Sequence, residues 1–400
     1  MKYIIILGDG MSDFPVAALV GKTPLMVARK PSVDEIARKG RCGTLITIPE
    51  GFSTGSDVAN LSVLGYDPAL CQGRGVIEAA SIGVKLTDAD VAMRCNLICL
   101  ENGRIKNHSA GHISTEEAAE CIAFVQKELG SDEVKFYPGT SYRHLLVFKG
   151  FSEKIETFPP HDNVGKKAEA IMVRATAPEA ERTAKKINGM IRKSWALLGD
   201  HPVNKKRIRE GKDPANSIWP WSAGRKPRMK TFQERFKISG AVISAVDLIK
   251  GLGIYAGMEV INVEGATGLS DTNYEGKARA ALDALNRHDL VYVHTEATDE
   301  AGHSRDLALK IKCIEFLDER LVRPILEGLG SRAGETAIAI LPDHPTPVER
   351  GDHVRAPVPV AIWNPNLTPD AVDRYDEESV LKGQLGHLEK DGFIRTLLGL

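Results

Sequence analysis

The sequence predicts an α/β protein: a mostly parallel sheet with helices on both faces, interrupted by an inserted α/β domain. Three observations predict it. Short, unbroken apolar runs recur toward both ends of the chain, which is how strands buried on both faces read. Segments of helical periodicity separate them, and strand–helix alternation gives parallel sheets covered by helices. Between these parts, residues 65–228 change texture, with Pro-Pro, Trp-containing and basic stretches. A chain of 400 residues outgrows one hydrophobic core, so two domains are expected, 1–64 with 229–400, and 65–228.

Residues 3–7 (Y-I-I-I-L) form the first strand, stopped by Gly8-Asp9-Gly10. Pro31 opens a helix over 31–39 with Val33, Ile36 and Ala37 on one side. Residues 44–48 read as a strand, 49–55 as a Gly- and Ser-containing loop, and 56–61 as a helix opening. In the inserted part, 92–100 and 144–148 read as strands. A helix covers 114–129, with Ser114 and Glu117 spaced as a capping box and Ala118, Cys121, Ile122, Val125 and Leu129 on one face. Residues 159–160 and 216–227 read as irregular connections. The rhythm resumes with strands at 242–244, 260–263, 290–294, 337–341 and 358–362. A helix over 305–326 carries Leu307, Ile311, Ile314, Leu321 and Ile325 at helical spacing.

The 42% hydrophobic and 26% charged fractions are those of a soluble globular protein. A net charge of −1 with interspersed signs argues against nucleic-acid or membrane-surface binding through bulk charge. No apolar stretch reaches the ~18 residues of a spanning helix. The N-terminal run is too short for a signal peptide, so a cytoplasmic location is expected. The six cysteines (42, 71, 95, 99, 121 and 313) form no C-x-x-C unit. Cys95 and Cys99 fall within an expected strand, and reduced, partly buried thiols are expected. Neither G-x-x-x-x-G-K-[ST] nor G-x-G-x-x-G occurs, so nucleotide sites of common type are unsupported. Arg143-His144 is followed by Leu145, so an R-H-G motif for phosphorylation on histidine is missing too.

The chemistry concentrates at expected strand ends. Asp9 follows the first strand directly, and Asp299 lies five residues past His294, with His303 four further on. Asp343-His344 lie two past Leu341, and His353 nine later. In open parallel sheets such groups meet beyond the C-terminal strand ends. Carboxylates with imidazoles suit Zn²⁺ or Mn²⁺, whereas an all-oxygen set would suit Mg²⁺ or Ca²⁺. A set without thiolates points to a catalytic rather than a structural site. Taken singly, Asp299 reads as a helix cap and His344 as a core histidine; together they read as metal ligands. Ser56 opens a helix, where backbone N–H groups and the helix dipole favour an anion. Beside a metal its oxygen would be a competent nucleophile toward phosphorus; alone it reads as an N-cap. In the inserted part, His108-Ser-Ala-Gly-His112, Tyr142-Arg143-His144, His161-Asp162 and Arg225-Lys-Pro-Arg228 are clustered basic and imidazole groups. Arginine offers bidentate recognition of phosphate or carboxylate, although most single Arg and Lys residues are solvated surface groups.

These residues sit in L-G-D-G-M (7–11), G-S-D-V-A-N-L-S-V-L-G-Y-D-P (55–68), S-Y-R-H-L-L-V (141–147), G-A-V-I-S-A-V-D-L-I-K-G (240–251), G-A-T-G (265–268), D-T-N-Y-E-G-K-A (271–278), D-E-A-G-H (299–303) and D-H (343–344). With them the chain resembles, over nearly all its length, the archaeal-type cofactor-independent (2,3-bisphosphoglycerate-independent) phosphoglycerate mutases of the alkaline phosphatase superfamily. The resemblance implies an alkaline-phosphatase-like sheet and a serine, Ser56, that becomes phosphorylated. It implies two divalent metal ions, Mn²⁺ first with Zn²⁺, Co²⁺ or Mg²⁺ as alternatives, and no 2,3-bisphosphoglycerate. Asp9, Ser56, Asp343 and His344 would surround one ion, and Asp299, His303 and His353 the other. His108 would bind substrate and transfer protons, and Lys250 would bridge nucleophile and phosphate. Arg143, Arg225 and Arg228 would clamp substrate anions, with His112 and Asp162 beside them. The implied reaction passes a phosphoryl group from 3-phosphoglycerate to Ser56 and back to the other hydroxyl, while the inserted domain traps the glycerate and excludes water.

One segment departs from the pattern. Many archaeal-type members have an A-G-R where this chain has His108-Ser-Ala-Gly-His112. The H-S-A-G-H-I-S-T-E-E form resembles a sub-branch proposed to act as homoserine kinases. A homoserine kinase-like phosphotransferase of threonine biosynthesis, or a phosphomonoester hydrolase, therefore stands as an alternative on the same scaffold. A non-catalytic metal-binding protein is the alternative of a different class, and the presence of all seven ligand positions argues against it.

Overall fold

The computed structural model describes residues 1–71 and 73–400. The chain divides into two compact units, Met1–Leu70 with Met229–Leu400, and Cys71–Arg228.

The discontinuous unit is built on an eight-stranded sheet in the spatial order Glu259–Ile261, Gly240–Ile243, Leu290–Thr295, Lys2–Gly8, Thr336–Leu341, Val358–Trp363, Arg41–Leu45, Gly386–Leu388. Val358–Trp363 runs antiparallel to both neighbours, and every other pairing is parallel. The unbroken apolar runs of the sequence are the central strands: Ile4, Ile5, Ile6, Leu7, Val291, Val293, Ile338 and Ile340 are fully buried. Alternate residues serve opposite faces. Ile4 and Ile6 pack with Val33, Ile36, Ala281, Ile314 and Leu321 of the helices on one side. On the other face the helix Asp247–Tyr255 brings Gly253 against Val242, where an added Cβ would lie 2.4 Å from a Val242 methyl.

Two elements of this unit show why expected bounds shift. The strand expected at 44–48 is Arg41–Leu45, because its ladder runs from Arg41 opposite Ile362 to Leu45 opposite Val358. Ile46 lies beyond that ladder and is 37% exposed. The helix expected over 305–326 begins at Leu307, since Arg305 has φ 56° and Asp306 caps Leu309 N–H through Oδ1. It passes through a π turn, Asp318–Val322, into Arg323–Leu329. Pro324 has no N–H to give back to the preceding turn, and the widened turn accommodates its ring.

The unit Cys71–Arg228 has a five-stranded antiparallel sheet. Arg104–Asn107, Asp90–Glu101, Arg143–Lys149 and Val134–Tyr137 pair in that order, and Ser217–Arg225 also pairs with Asp90–Glu101. The helices Thr115–Leu129 and Glu181–Gly199 supply Ile122, Val125, Ile187 and Ile191 to its core. Ser114 Oγ accepts from Glu117 N–H at 3.2 Å, but the Glu117 carboxylate takes Arg207 as partner rather than closing a capping box. Residues 216–227, expected to be irregular, hold the strand Ser217–Arg225 with Trp219 and Trp221 buried. It is paired on one side only, where a proline such as Pro220 costs no ladder bond.

All six cysteines are buried thiols outside any disulfide. Burial pushes the Cys99 and Cys121 thiols up to about 12. Among the described residues, no helix is long and apolar enough to cross a membrane.

Candidate active site

Sheet register assembles the site. Leu7 lies opposite both His294 and Leu341, so three strands end at one level. Asp9, the helix Ala297–His303 and the Asp343-His344 pair all start within a few residues of that edge. Gly10 makes the close approach possible. Its φ is 59°, and an added Cβ would lie 2.5 Å from both Asp299 Oδ1 and Thr346 Oγ1. Its N–H donates to Asp343 Oδ1 at 3.2 Å.

Ser56 is the first residue of the helix Ser56–Val63, and Gly55, not Ser56, is the N-cap. Its hydroxyl makes no capping bond. Ser56 Oγ instead lies 3.1 Å from His344 Nε2. Asp299 likewise is no cap; it lies inside Ala297–His303, 4% exposed.

Ligand atoms of Asp9, Asp343 and His344 lie within 4.8 Å of one another, as do those of Asp299, His344 and His353. His344 thus belongs to both groups. His303 Nε2 joins the second, 3.1 Å from Asp299 Oδ2 and 2.9 Å from His353 Nε2. This arrangement fits divalent cations on three grounds. Asp9 Oδ1 is buried with no hydrogen-bond partner. Asp9, Asp343 and Asp299 crowd one another: burial first, then those two neighbours, pushes the Asp9 carboxyl well up. His303 Nδ1 donates to Gly351 O (3.0 Å) and His353 Nδ1 to Thr54 O (2.8 Å). A carbonyl can only accept, so Nδ1 carries a proton, which leaves Nε2, turned toward Asp299, as the ring atom that a cation would take.

Electrostatics around Asp299 run the other way. Burial raises its carboxyl, but hydrogen bonds from His303 and His353 hold it well below the usual carboxylate range. Its hydrogen bond in turn raises His303 to about 9. His344, enclosed by protein, is held below the ordinary imidazole value.

Several site residues escaped sequence reasoning. Asn60 lies one helical turn after Ser56, and its Nδ2 donates to Ser56 O and to Asp343 Oδ2, both at 2.9 Å. Tyr292 OH donates to Asn60 Oδ1. His294 Nε2 lies 3.0 Å from Asp9 Oδ2, and its Nδ1 3.2 Å from Ser244 Oγ. Thr346 Oγ1 donates to Asp299 Oδ1. The i, i+4 spacing from Ser56 was the signal available for Asn60. Lys250 lies in Asp247–Tyr255, which packs beside Ser56–Val63, with Nζ 4.0 Å from Asp247 Oδ1.

In the unit Cys71–Arg228 the expected residues divide. The His108 ring is 5.7 Å from Tyr142 and 6.0 Å from His161, and Arg143 stacks 5.0 Å over Tyr142. Burial, then His161, His112 and Arg143, lower His108, so it is neutral near pH 7. His112 is exposed, in a loop where Ala110, Gly111 and His112 all have positive φ. Exposed Asp162 lies 3.7 Å from His161. Arg225 stands apart from this cluster. Its Nε, Nη1 and Nη2 bind Glu153 (2.6 Å), Asp88 O (3.0 Å) and Phe151 O (2.6 Å). It pairs with Val91, five residues along the strand from Asn96, the residue that touches His108, or about 16 Å away. All three guanidinium nitrogens of Arg225 thus have protein partners at this end of the sheet. Arg228 is exposed at the last position of the unit.

Comparison with known proteins finds relatives over the whole chain. The model of the family described as 2,3-bisphosphoglycerate-independent phosphoglycerate mutase matches residues 37–204. A protein of that name from Methanosarcina acetivorans is 50% identical over 401 residues, covering 100% of both chains. The 2,3-bisphosphoglycerate-independent phosphoglycerate mutase 2 of Methanothermobacter thermautotrophicus is 48% identical over 100% of this chain and 97% of its own. Among solved structures, the PH0037 protein of Pyrococcus horikoshii aligns with TM-score 0.85 and 32% identity, over 100% of this chain and 97% of that one. The cofactor-independent phosphoglycerate mutase of Thermoplasma acidophilum aligns with TM-score 0.71 and 30% identity, over 100% and 99%. With full-length relatives this similar, the chain belongs to the 2,3-bisphosphoglycerate-independent phosphoglycerate mutase family.

Proposed function

We propose that this enzyme interconverts 3-phosphoglycerate and 2-phosphoglycerate through a phosphoserine at Ser56. The observation that carries the reading is Ser56 Oγ, free of a capping bond and 3.1 Å from His344 Nε2, beside the carboxylate and imidazole groups. Asp9, Ser56, Asp343 and His344 are assigned to one divalent cation, and Asp299, His303 and His353 to a second, with Mn²⁺ the expected metal. Bound there, the two cations would neutralise and orient the oxygens of an in-line phosphoryl transfer.

The chain's own residues do the rest. The helix start at Ser56 offers N–H groups to the phosphoryl oxygens, and Asn60 fixes Asp343 through its amide. The bond from Ser56 Oγ to phosphorus forms as the substrate oxygen–phosphorus bond breaks. Glycerate then takes the phosphoryl group back on its other hydroxyl. His108, neutral at pH 7, is assigned to accept and return the hydroxyl protons. Arg143, with His112, Asp162 and Arg228, is assigned to substrate recognition, and Lys250 to the phosphoryl group.

The His108–His112 segment keeps a second acceptor in view, homoserine. Purified protein with Mn²⁺ should convert 3- to 2-phosphoglycerate without releasing phosphate. Activity only on homoserine with ATP would overturn the mutase assignment, and net phosphate release would make the enzyme a hydrolase.

A further inference from the structure

A lysine with no part in the chemistry above lies behind the carboxylate and imidazole groups. Lys310 belongs to the helix Leu307–Leu317 and is fully buried. An ammonium has three N–H donors, and here each has an acceptor: Asp13 Oδ2 (2.9 Å), Thr346 O (2.7 Å) and Ser12 O (3.2 Å). Burying such a cation is costly, and an interior Lys–Asp pair commonly adds no net stability over apolar side chains. Its role follows from the backbone it joins.

Ser12 and Asp13 follow Asp9 closely, and Thr346 lies two residues after His344. Past the strand ends, isolated bridges from Met11 and Ser12 to Pro345 take over from the ladder, and Thr346 N–H donates to Ser12 O at 3.3 Å. Lys310 ties these two segments to its own helix. Asp13 Oδ2 adds a further tie by accepting from Val348 N–H at 3.1 Å. The helix Ala297–His303 meets the same carbonyl that Lys310 holds: an added Cβ on Gly302 would lie 2.4 Å from Thr346 O.

Thr346 passes this placement on. Its Oγ1 donates to Asp299 Oδ1. With its one hydrogen so used, the hydroxyl can only accept from His344 Nδ1, 3.3 Å away. His344 Nδ1 then carries a proton, which leaves Nε2, beside Ser56 Oγ, as the ring atom that a cation would take. His344 belongs to both groups of candidate ligands and Asp299 to one.

We propose that Lys310 is a positioning residue of the metal centre. It fixes the segments after Asp9 and after His344 against the helix that follows His303, and through Thr346 it sets Asp299 and His344 for divalent cations. The inference rests on the metal reading of the centre and not on which hydroxyl accepts the phosphoryl group.

The test titrates full-length, metal-free protein with Mn²⁺ by calorimetry, records the visible absorption of the Co²⁺-loaded protein, and measures urea unfolding and 3-phosphoglycerate kinetics. Lys310→Met should weaken Mn²⁺ binding about 10–100-fold, the usual effect of removing a group that orients ligands. It should also change the Co²⁺ spectrum and lower kcat, with KM for 3-phosphoglycerate unchanged. Adding Asp13→Asn removes the carboxylate left stranded by Lys310→Met. The double variant should regain urea stability but not Mn²⁺ affinity. Wild-type Mn²⁺ affinity and Co²⁺ spectrum in Lys310→Met would overturn the proposal. So would recovery of both stability and affinity in the double variant, which is how a purely structural ion pair behaves. If the lysine variants do not fold, Thr346→Val decides, because it keeps the carbonyl that Lys310 holds and removes only the hydroxyl. Weakened Mn²⁺ binding is expected there, and wild-type affinity would overturn the route from Lys310 to the ligands. Wild-type protein with Lys310-dependent Mn²⁺ binding but no interconversion of phosphoglycerates would end the mutase reading and leave this one standing. Wild-type protein that binds no Mn²⁺ would end this one.

Discussion

The two candidate regions of this molecule are held by different physics. Around Ser56, Asp9, Asp299 and the Asp343-His344 pair follow buried strand ends and Ser56 opens a helix, while His303 closes a helix and His353 comes from a loop. Asp9 and Asp343 are almost wholly enclosed, and each carboxylate is tied by a named donor. Around His108 the groups come from loops and a sheet face, and His112, Arg143 and Asp162 are exposed. A rigid, over-determined centre suits chemistry that must be the same for every substrate. Looser basic groups suit recognition, which can change between relatives without disturbing the nucleophile.

That contrast is broken or sharpened most severely at the nucleophile. Ser56→Ala should abolish phosphoryl transfer, by at least about a thousandfold in kcat. Its urea midpoint should match wild type, since the Ser56 hydroxyl caps nothing. Retained turnover would mean that the rigid centre is not the reacting one.

The next effect is indirect. Asn60→Ala leaves the Tyr292 hydroxyl and one Asp343 oxygen without their partner. Metal affinity or activity should fall about 10–100-fold, the usual cost of removing a group that orients a ligand. Titration with Mn²⁺ measures it, and an unchanged affinity would show that strand ends alone set the site.

Two smaller effects separate structure from recognition in the other unit. His144 neighbours Arg143 in sequence but is buried, and its Nδ1 accepts from Gly139 N–H at 3.1 Å. Burial pushes its imidazole from 6.5 down to about 3. The unfolded chain therefore binds a proton that the folded chain refuses. Stability is full above about pH 6.5 and declines as pH falls toward 3, by about 1.4 kcal/mol per pH unit. Urea unfolding against pH should lose about one proton of that slope in His144→Asn. Arg225→Met should cost about 1 kcal/mol of stability and leave KM for phosphoglycerate unchanged, because its guanidinium braces Glu153, Asp88 and Phe151. A raised KM without loss of stability would return Arg225 to the substrate.

The same contrast explains what the sequence could disclose. Asp9, Asp299 and Asp343-His344 were legible because unbroken apolar runs announce their strands, and position after a strand end carries the inference. His294 and Tyr292 were not, because their roles arise only when parallel register sets Leu7 beside both His294 and Leu341. The strand Ser217–Arg225 was hidden because proline and glycine mark loops locally, while its pairing on one side tolerates them. The partners of Arg225 were not legible, because a basic cluster reads alike whether it faces a ligand or its own backbone.

The most direct test is to quench a turnover mixture of 3-phosphoglycerate and Mn²⁺-loaded enzyme and locate phosphate by peptide mass spectrometry. Phosphate on Ser56, absent from Ser56→Ala, is the predicted result. Turnover with phosphate on His108, or with no phosphorylated residue at all, would contradict phosphoryl transfer through the serine.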